Sequence, residues 1–136
     1  MFSGARELLA DLNKQDYFVA IATGKGRNGL DFALKENEIG HHIHASRCAD
    51  ESRSKPHPQM LEELMDYFAV KPDDTIMIGD TEYDLEMAKN AKVQSLGVSH
   101  GVHEQARLEK FNPVTCVADV NELHAWLSNN LIKGNG

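Results

Sequence analysis

No apolar run in these 136 residues approaches the roughly 20 needed to span a bilayer, which sets a membrane-embedded function aside. Basic residues are also short. Fourteen Lys and Arg against 21 Asp and Glu leave a net charge of −7. That balance argues against a broad nucleic-acid footprint, and any phosphate site must carry its own local cations. Cysteine is scarce: Cys48 and Cys116 stand far apart, outside any Cys-x-x-Cys spacing, and read as reduced, partly buried thiols. The opening residues Met1-Phe2-Ser3-Gly4-Ala5-Arg6 show no signal-peptide pattern, so the cytoplasm is the expected compartment. Internal repeats and low-complexity segments are absent too. What remains, 41% hydrophobic and 26% charged, is an ordinary globular composition with material for one domain and a modest core.

The hydrophobic pattern alternates between helical and strand-like periods. Ala5, Leu8, Leu9 and Leu12 mark an amphipathic helix. Tyr17–Ala22 is a short apolar run ending in Thr23-Gly24-Lys25-Gly26, and Leu30 to Leu34 belong to a second helix that closes near Gly40. A short strand is expected around Ile43–Ser46. Pro56 and Pro58 open a helix whose face is Met60, Leu61, Leu64, Met65 and Phe68. Thr75–Ile78 and Val93–Val98 read as strands separated by a helix through Leu85, Ala88 and Ala91. A short helix closes at Arg107–Lys110, and a weak strand at Cys116–Ala118 leads into Asp119, an N-cap with Glu122 three residues on. Such alternation predicts an α/β fold with a parallel sheet covered on both faces. Residues 1–132 form that domain, and 133–136 read as a disordered tail.

Ligands of such sheets bind where strands end at their carboxyl termini. After the third apolar run come Gly79, Asp80 and, four residues on, Asp84; paired hard oxygen donors there suit Mg²⁺. Thr23, followed by Gly24 and the backbone N–H groups of a helix start, offers a phosphate cradle. Lys55, in a Pro-containing turn, can neutralise a phosphoryl group and pair with a carboxylate.

Ile21-Ala22-Thr23-Gly24-Lys25, then Lys55-Pro56-His57-Pro58, then Ile78-Gly79-Asp80-Thr81-Glu82-Tyr83-Asp84 resemble motifs II, III and IV of the haloacid-dehalogenase-like (HAD) hydrolases, most closely the phosphoglycolate-phosphatase-like subgroup. Their order and their spacings of 32 and 25 residues, counted between Thr23, Lys55 and Asp80, carry the resemblance. It implies a three-layer α/β/α Rossmann-like core and Mg²⁺-dependent hydrolysis of a small phosphorylated metabolite. It further implies that Thr23 and Gly24 hold the phosphoryl group, that Lys55 balances its charge, and that Asp80 ligates the metal. Asp84 would support that metal directly or through water.

The family's nucleophile lies in an Asp-x-Asp motif at the end of its first strand, and no Asp-x-Asp occurs in this sequence. The resemblance therefore implies an incomplete core, short of the first strand and the cap, on the order of 75–80 residues. A fragment or truncated product is the first explanation, and completion by a partner chain is another. The expected consequences are two exposed strand edges, a tendency to self-association or domain swapping, and no turnover by this chain alone. A non-catalytic interaction protein on the same core is the alternative function. A receiver-like phosphoacceptor module is a second alternative, although in that family the acids precede the Thr and Lys. Gly24-Lys25-Gly26-Arg27-Asn28-Gly29 also matches a dinucleotide fingerprint, with Asp50 or Glu51 as the acid roughly 20 residues on. Lys25 and Arg27 crowd a turn that favours small residues. His41, His42 and His44 read as a polar strand edge, with His42 and His44 sharing a face.

Overall fold

A computed structural model of the protein describes residues 4–99 and 102–130. Helices and strands alternate through almost all of it: α1 Ala5–Lys14, β1 Ala20–Ala22, α2 Arg27–Glu36, β2 Ala45–Arg47, α3 Gln59–Phe68, β3 Ile76–Gly79, α4 Glu82–Asn90, β4 Gln94–Val98, α5 Val102–Glu109, β5 Thr115–Val117 and α6 Val120–Asn130. The expected tail at 133–136 lies outside the described residues.

Local chemistry accounts for most of the boundaries. α1 starts at Gly4, whose φ of 86° is left-handed and costs a glycine nothing; a Cβ there would also come within 2.5 Å of Asn121. Asp119 caps α6 as its sequence predicts, accepting the Glu122 N–H at 2.8 Å. Three expectations need correction. The apolar run from Tyr17 becomes strand only at Ala20: Phe18 is turned outward and stacks on Phe68 with ring centroids 4.6 Å apart. α2 ends at Glu36, with Glu38 at a φ of 54°, and Gly40 opens a 3₁₀ turn instead of closing the helix. His41 and His42 lie in that turn, their rings 3.9 Å apart, and His44 precedes β2, where its Nδ1 accepts the Val19 N–H at 2.9 Å. Hence no histidine-lined strand edge forms.

Among the described residues all strand pairing is parallel, in two pieces: β1 with β2, and β3-β4-β5. Successive residues of β3 point to opposite faces and so separate two cores. Met77 joins Met60, Leu61 and Met65 of α3 and Met87, Ala88 and Ala91 near α4, with Ala22 and Ala49 packed against them. Ile76 and Ile78 pack on the other face against Leu8 of α1, Leu96, Val117, and Leu123 and Leu127 of α6. The result is the three-layer α/β/α arrangement expected. Leu96 is fully buried, as a strand covered on both faces requires.

Candidate active site

β3 ends at Gly79, and the chain must turn into α4 within three residues. Thr81 caps the helix: its hydroxyl accepts the Asp84 N–H at 3.2 Å, and the Asp84 carboxylate accepts the Thr81 N–H at 3.2 Å. This reciprocal box satisfies helix-start donors that would otherwise lack partners. Asp84 Oδ2 further accepts the Asp80 N–H at 3.2 Å and the Thr81 hydroxyl at 3.0 Å, while Oδ1 takes the Lys55 ammonium. Asp84 is 5% exposed, so the solvated carboxylate that its sequence position allows is not what forms. Gly79 makes room for it. A Cβ on Gly79 would come within 2.2 Å of the Asp84 Cβ and 2.8 Å of Oδ2.

Lys55 reaches this pair from the loop before α3, through a cis Lys55–Pro56 peptide. The Asn90 side chain at the end of α4 donates to the Pro56 carbonyl at 2.9 Å and so fixes the turn on the helix that carries Asp84. Lys55, Asp84 and Asp80 are thereby brought together, with Asp80 exposed at the strand end. One ammonium against two carboxylates leaves a net negative charge, which favours a cation. The Asp80 and Asp84 carboxylates are hard oxygen donors of the kind that fits Mg²⁺, and both Asp84 oxygens also accept bonds from protein donors.

Thr23 stands at the end of β1, in the other sheet piece. Its N–H donates to the Arg47 carbonyl at 3.1 Å and its hydroxyl oxygen accepts the Lys25 N–H at 3.1 Å, leaving the hydroxyl proton available to a ligand. No atom lies within 4 Å of a Cβ built on Gly24, so the backbone there is open to approach. The helix N-terminus is not open: Gly26 is the N-cap of α2, and the Arg27 N–H is taken by both Asp50 oxygens at 3.2 and 3.1 Å. The Arg27 guanidinium forks onto Glu51 at 2.9 and 2.8 Å and donates to the Ser46 hydroxyl at 2.8 Å. With Ala49 N–H donating to the Lys25 carbonyl at 3.0 Å, this network pins the Thr23 loop to the loop after β2. Both acids of the dinucleotide reading are thus committed to holding α2.

The same network has a pH signature. Arg27 holds the Glu51 carboxyl at about 2, below its ordinary 4.5, and the Ser52 hydroxyl and Arg47 hold Glu63 down as well. A depressed folded-state value means that this stabilisation is complete above about 4.5 and is lost as pH falls toward about 2. Urea unfolding across that window should show falling stability, with a shallower fall in Glu51→Gln. Equal slopes would remove Glu51 from the account.

Among the described residues, one group of His, Cys, Asp or Glu side chains has ligand atoms within 4.8 Å of one another: Cys48, Asp50 and Glu51. Burial pushes the Cys48 thiol upward, and the two carboxylates serve α2 and Arg27. Both cysteines are free, as expected. Of two hollows of about 290 and 280 Å³, one is lined by residues such as Lys89, Gln94 and Asn112, and the other by the Arg27 and Ser46 of this network together with His44 and Tyr67.

Two contributors were not singled out from the residues alone. Thr81 is legible as the Thr-x-x-Asp of a capping box, a local signal directly beside Asp80. Asn90 carries no such signal, because its partner is 34 residues away.

A family model described as haloacid dehalogenase-like hydrolase matches residues 1–98. Pyrophosphatase PpaX of Bacillus mycoides is 28% identical over 123 residues, covering 90% of this chain and 57% of the relative. A haloacid dehalogenase-like family hydrolase from Streptococcus pneumoniae superposes with a TM-score of 0.80 at 26% identity, over 93% of this chain and 59% of that one. A HAD-family hydrolase from Deinococcus radiodurans, solved with bound phosphate and sodium, shares the fold with a TM-score of 0.86 at 20% identity, over 96% of this chain and 60% of that one. The chain therefore spans less than two thirds of the length of each of these proteins.

Proposed function

Because the chain belongs to the haloacid dehalogenase-like hydrolase family, we propose that Thr23, Gly24, Lys55 and Asp80 form the phosphate- and metal-holding part of a phosphohydrolase site. The observation that carries this reading is the Lys55–Asp84 pair at the end of β3, set beside the exposed Asp80. Bound Mg²⁺ would supply charge neutralisation at phosphoryl oxygens.

In this reading Lys55 is a fixed ammonium that balances charge on the phosphoryl oxygens. Asp84 acts through Lys55 and through the backbone of Asp80, and is a positioning residue. Thr23 donates its hydroxyl proton to a phosphoryl oxygen, and Gly24 lets that oxygen approach the main chain. These groups position and neutralise, which is most of what phosphoryl transfer needs. They provide no nucleophile. The 136 residues contain no Asp-x-Asp, so we propose that this polypeptide by itself turns over no phosphate ester. Small phosphorylated metabolites, phosphoglycolate among them, are the proposed substrate class of a complete site. The pyrophosphatase relative adds inorganic pyrophosphate to the panel.

Paramagnetic Mn²⁺ in place of Mg²⁺ tests the metal assignment. Amide signals of residues 79–84 should broaden first, and Asp80→Asn should abolish the effect. Broadening centred on residues 48–51 instead would refute Asp80 as the metal carboxylate.

A further inference from the structure

Cations gather at the carboxyl ends of β1 and β2, in a chain whose net charge is −7. Most of them are spent on carboxylates. Arg27 pairs with Glu51 at 2.8 Å and with Asp31 at 3.4 Å, Arg47 pairs with Glu63 at 3.2 Å, and Lys55 pairs with Asp84. Arg53 leans on an imidazole, its Nη1 3.2 Å from His57 Nε2. Lys25 is different. It is exposed, and among the described residues its ammonium has neither an ion pair nor a hydrogen bond.

The main chain beneath that ammonium is fixed on both sides. The Lys25 N–H donates to the Thr23 hydroxyl oxygen at 3.1 Å, and the Lys25 carbonyl accepts the Ala49 N–H at 3.0 Å. Its Cβ lies 3.8 Å from where a Cβ on Gly29 would stand, so the stem leaves the loop beside a residue with no side chain to crowd it. The charge therefore stands on a set base, next to Gly24 and two residues from Thr23, on a flexible four-carbon stem. Charge counting shows what it suits. Lys55 and Asp84 cancel, and Asp80 offsets half the charge of a bound divalent cation. What remains is spent on the phosphoryl group, so a second anionic group on the same ligand would find no counter-charge among Lys55, Asp80 and Asp84. Lys25 supplies one.

We propose that Lys25 is a specificity-determining residue whose ammonium pairs with a second anionic group, carboxylate or phosphoryl, on the phosphorylated ligand held at Thr23. The inference rests on the phosphate-site reading above and deepens it. It narrows the substrate class from small phosphate esters in general to those with a second negative group close to the phosphoryl end. An exposed ammonium pairs weakly, so the selectivity is a few-fold and falls as salt rises.

The test titrates ethyl phosphate, phosphoglycolate and pyrophosphate into the 136-residue chain at low salt with Mg²⁺ in excess, following the amide signals of Thr23 and Gly24 by NMR. Ethyl phosphate has the size of phosphoglycolate without its carboxylate. Phosphoglycolate, pyrophosphate or both should bind about threefold more tightly than ethyl phosphate, and the one favoured tells a carboxylate from a second phosphoryl group. Lys25→Gln should bring that ratio to about one. Lys92→Gln makes the same charge change before the amino end of β4 and should leave the ratio as it is. Equal binding of all three ligands, a ratio that survives Lys25→Gln, or one lost equally in Lys92→Gln would overturn the inference and leave the phosphate site standing. No shift at Thr23 and Gly24 with any ligand would overturn the phosphate-site reading and this inference with it.

Discussion

Asp84→Ala is expected to lower the stability of the chain by about 3 kcal/mol, which for a domain of this size is a fall in Tm on the order of 10 °C. The substitution removes one carboxylate and strands four donors. Lys55, with 19% of its side chain exposed, loses its counter-charge, and the Asp80 N–H, Thr81 N–H and Thr81 hydroxyl lose their acceptor. Removing one partner of a buried pair costs about 3–5 kcal/mol, and water reaching the partly exposed Lys55 sets the lower end. Loss of the capping box, worth about 1 kcal/mol alone, is contained in that figure because the same carboxylate serves both. Asp84→Asn keeps an acceptor and should cost less, about 1–2 kcal/mol. Urea unfolding of the three proteins checks this. A cost below about 1 kcal/mol for Asp84→Ala would mean that the pair is a surface ion pair and positions nothing.

Gly79→Ala is the second large effect, and its direction follows from space alone. The new methyl would meet the Asp84 Cβ at 2.2 Å, and a Cβ cannot rotate aside as a flexible side-chain end can. The start of α4 must move away from β3, taking Asp84 out of reach of Lys55. Overpacking typically costs 1–3 kcal/mol, and this contact should stand at or above the upper end, about 3 kcal/mol. The cost should shrink by more than about 1 kcal/mol when Asp84→Gly is already present, since the atom being struck is then absent. Additive costs in that double-mutant cycle would show that Gly79 matters for a reason other than room for Asp84.

These two residues show what the sequence makes legible. Gly79, Asp80 and Asp84 are legible because strand, glycine and acid follow one another locally, and most helices are visible from their apolar period, whereas α5 shows only its end near Arg107–Lys110. The protein partners of Asp84 are not legible, since a carboxylate four residues from another looks the same whatever it bonds to. They depend on the long-range arrival of Lys55, 29 residues away. The histidines misled for a similar reason. His42 and His44 alternate as on a strand, but the Gly40 turn and the bond from Val19 to His44 place them off it. Arg27 looked like an obstruction in a glycine-rich turn and proved to be the clamp that holds Glu51 and Ser46. β1 is shorter than its apolar run, because Tyr17 and Phe18 extend the run without joining the ladder.

The central claim is that these residues position and neutralise a phosphoryl group but hold no nucleophile. Its most direct test is hydrolysis of p-nitrophenyl phosphate by the purified 136-residue chain with Mg²⁺. The account predicts a rate indistinguishable from buffer. Turnover that depends on Mg²⁺ and disappears in Asp80→Ala would contradict it, because the attacking group would then have to lie among the residues present.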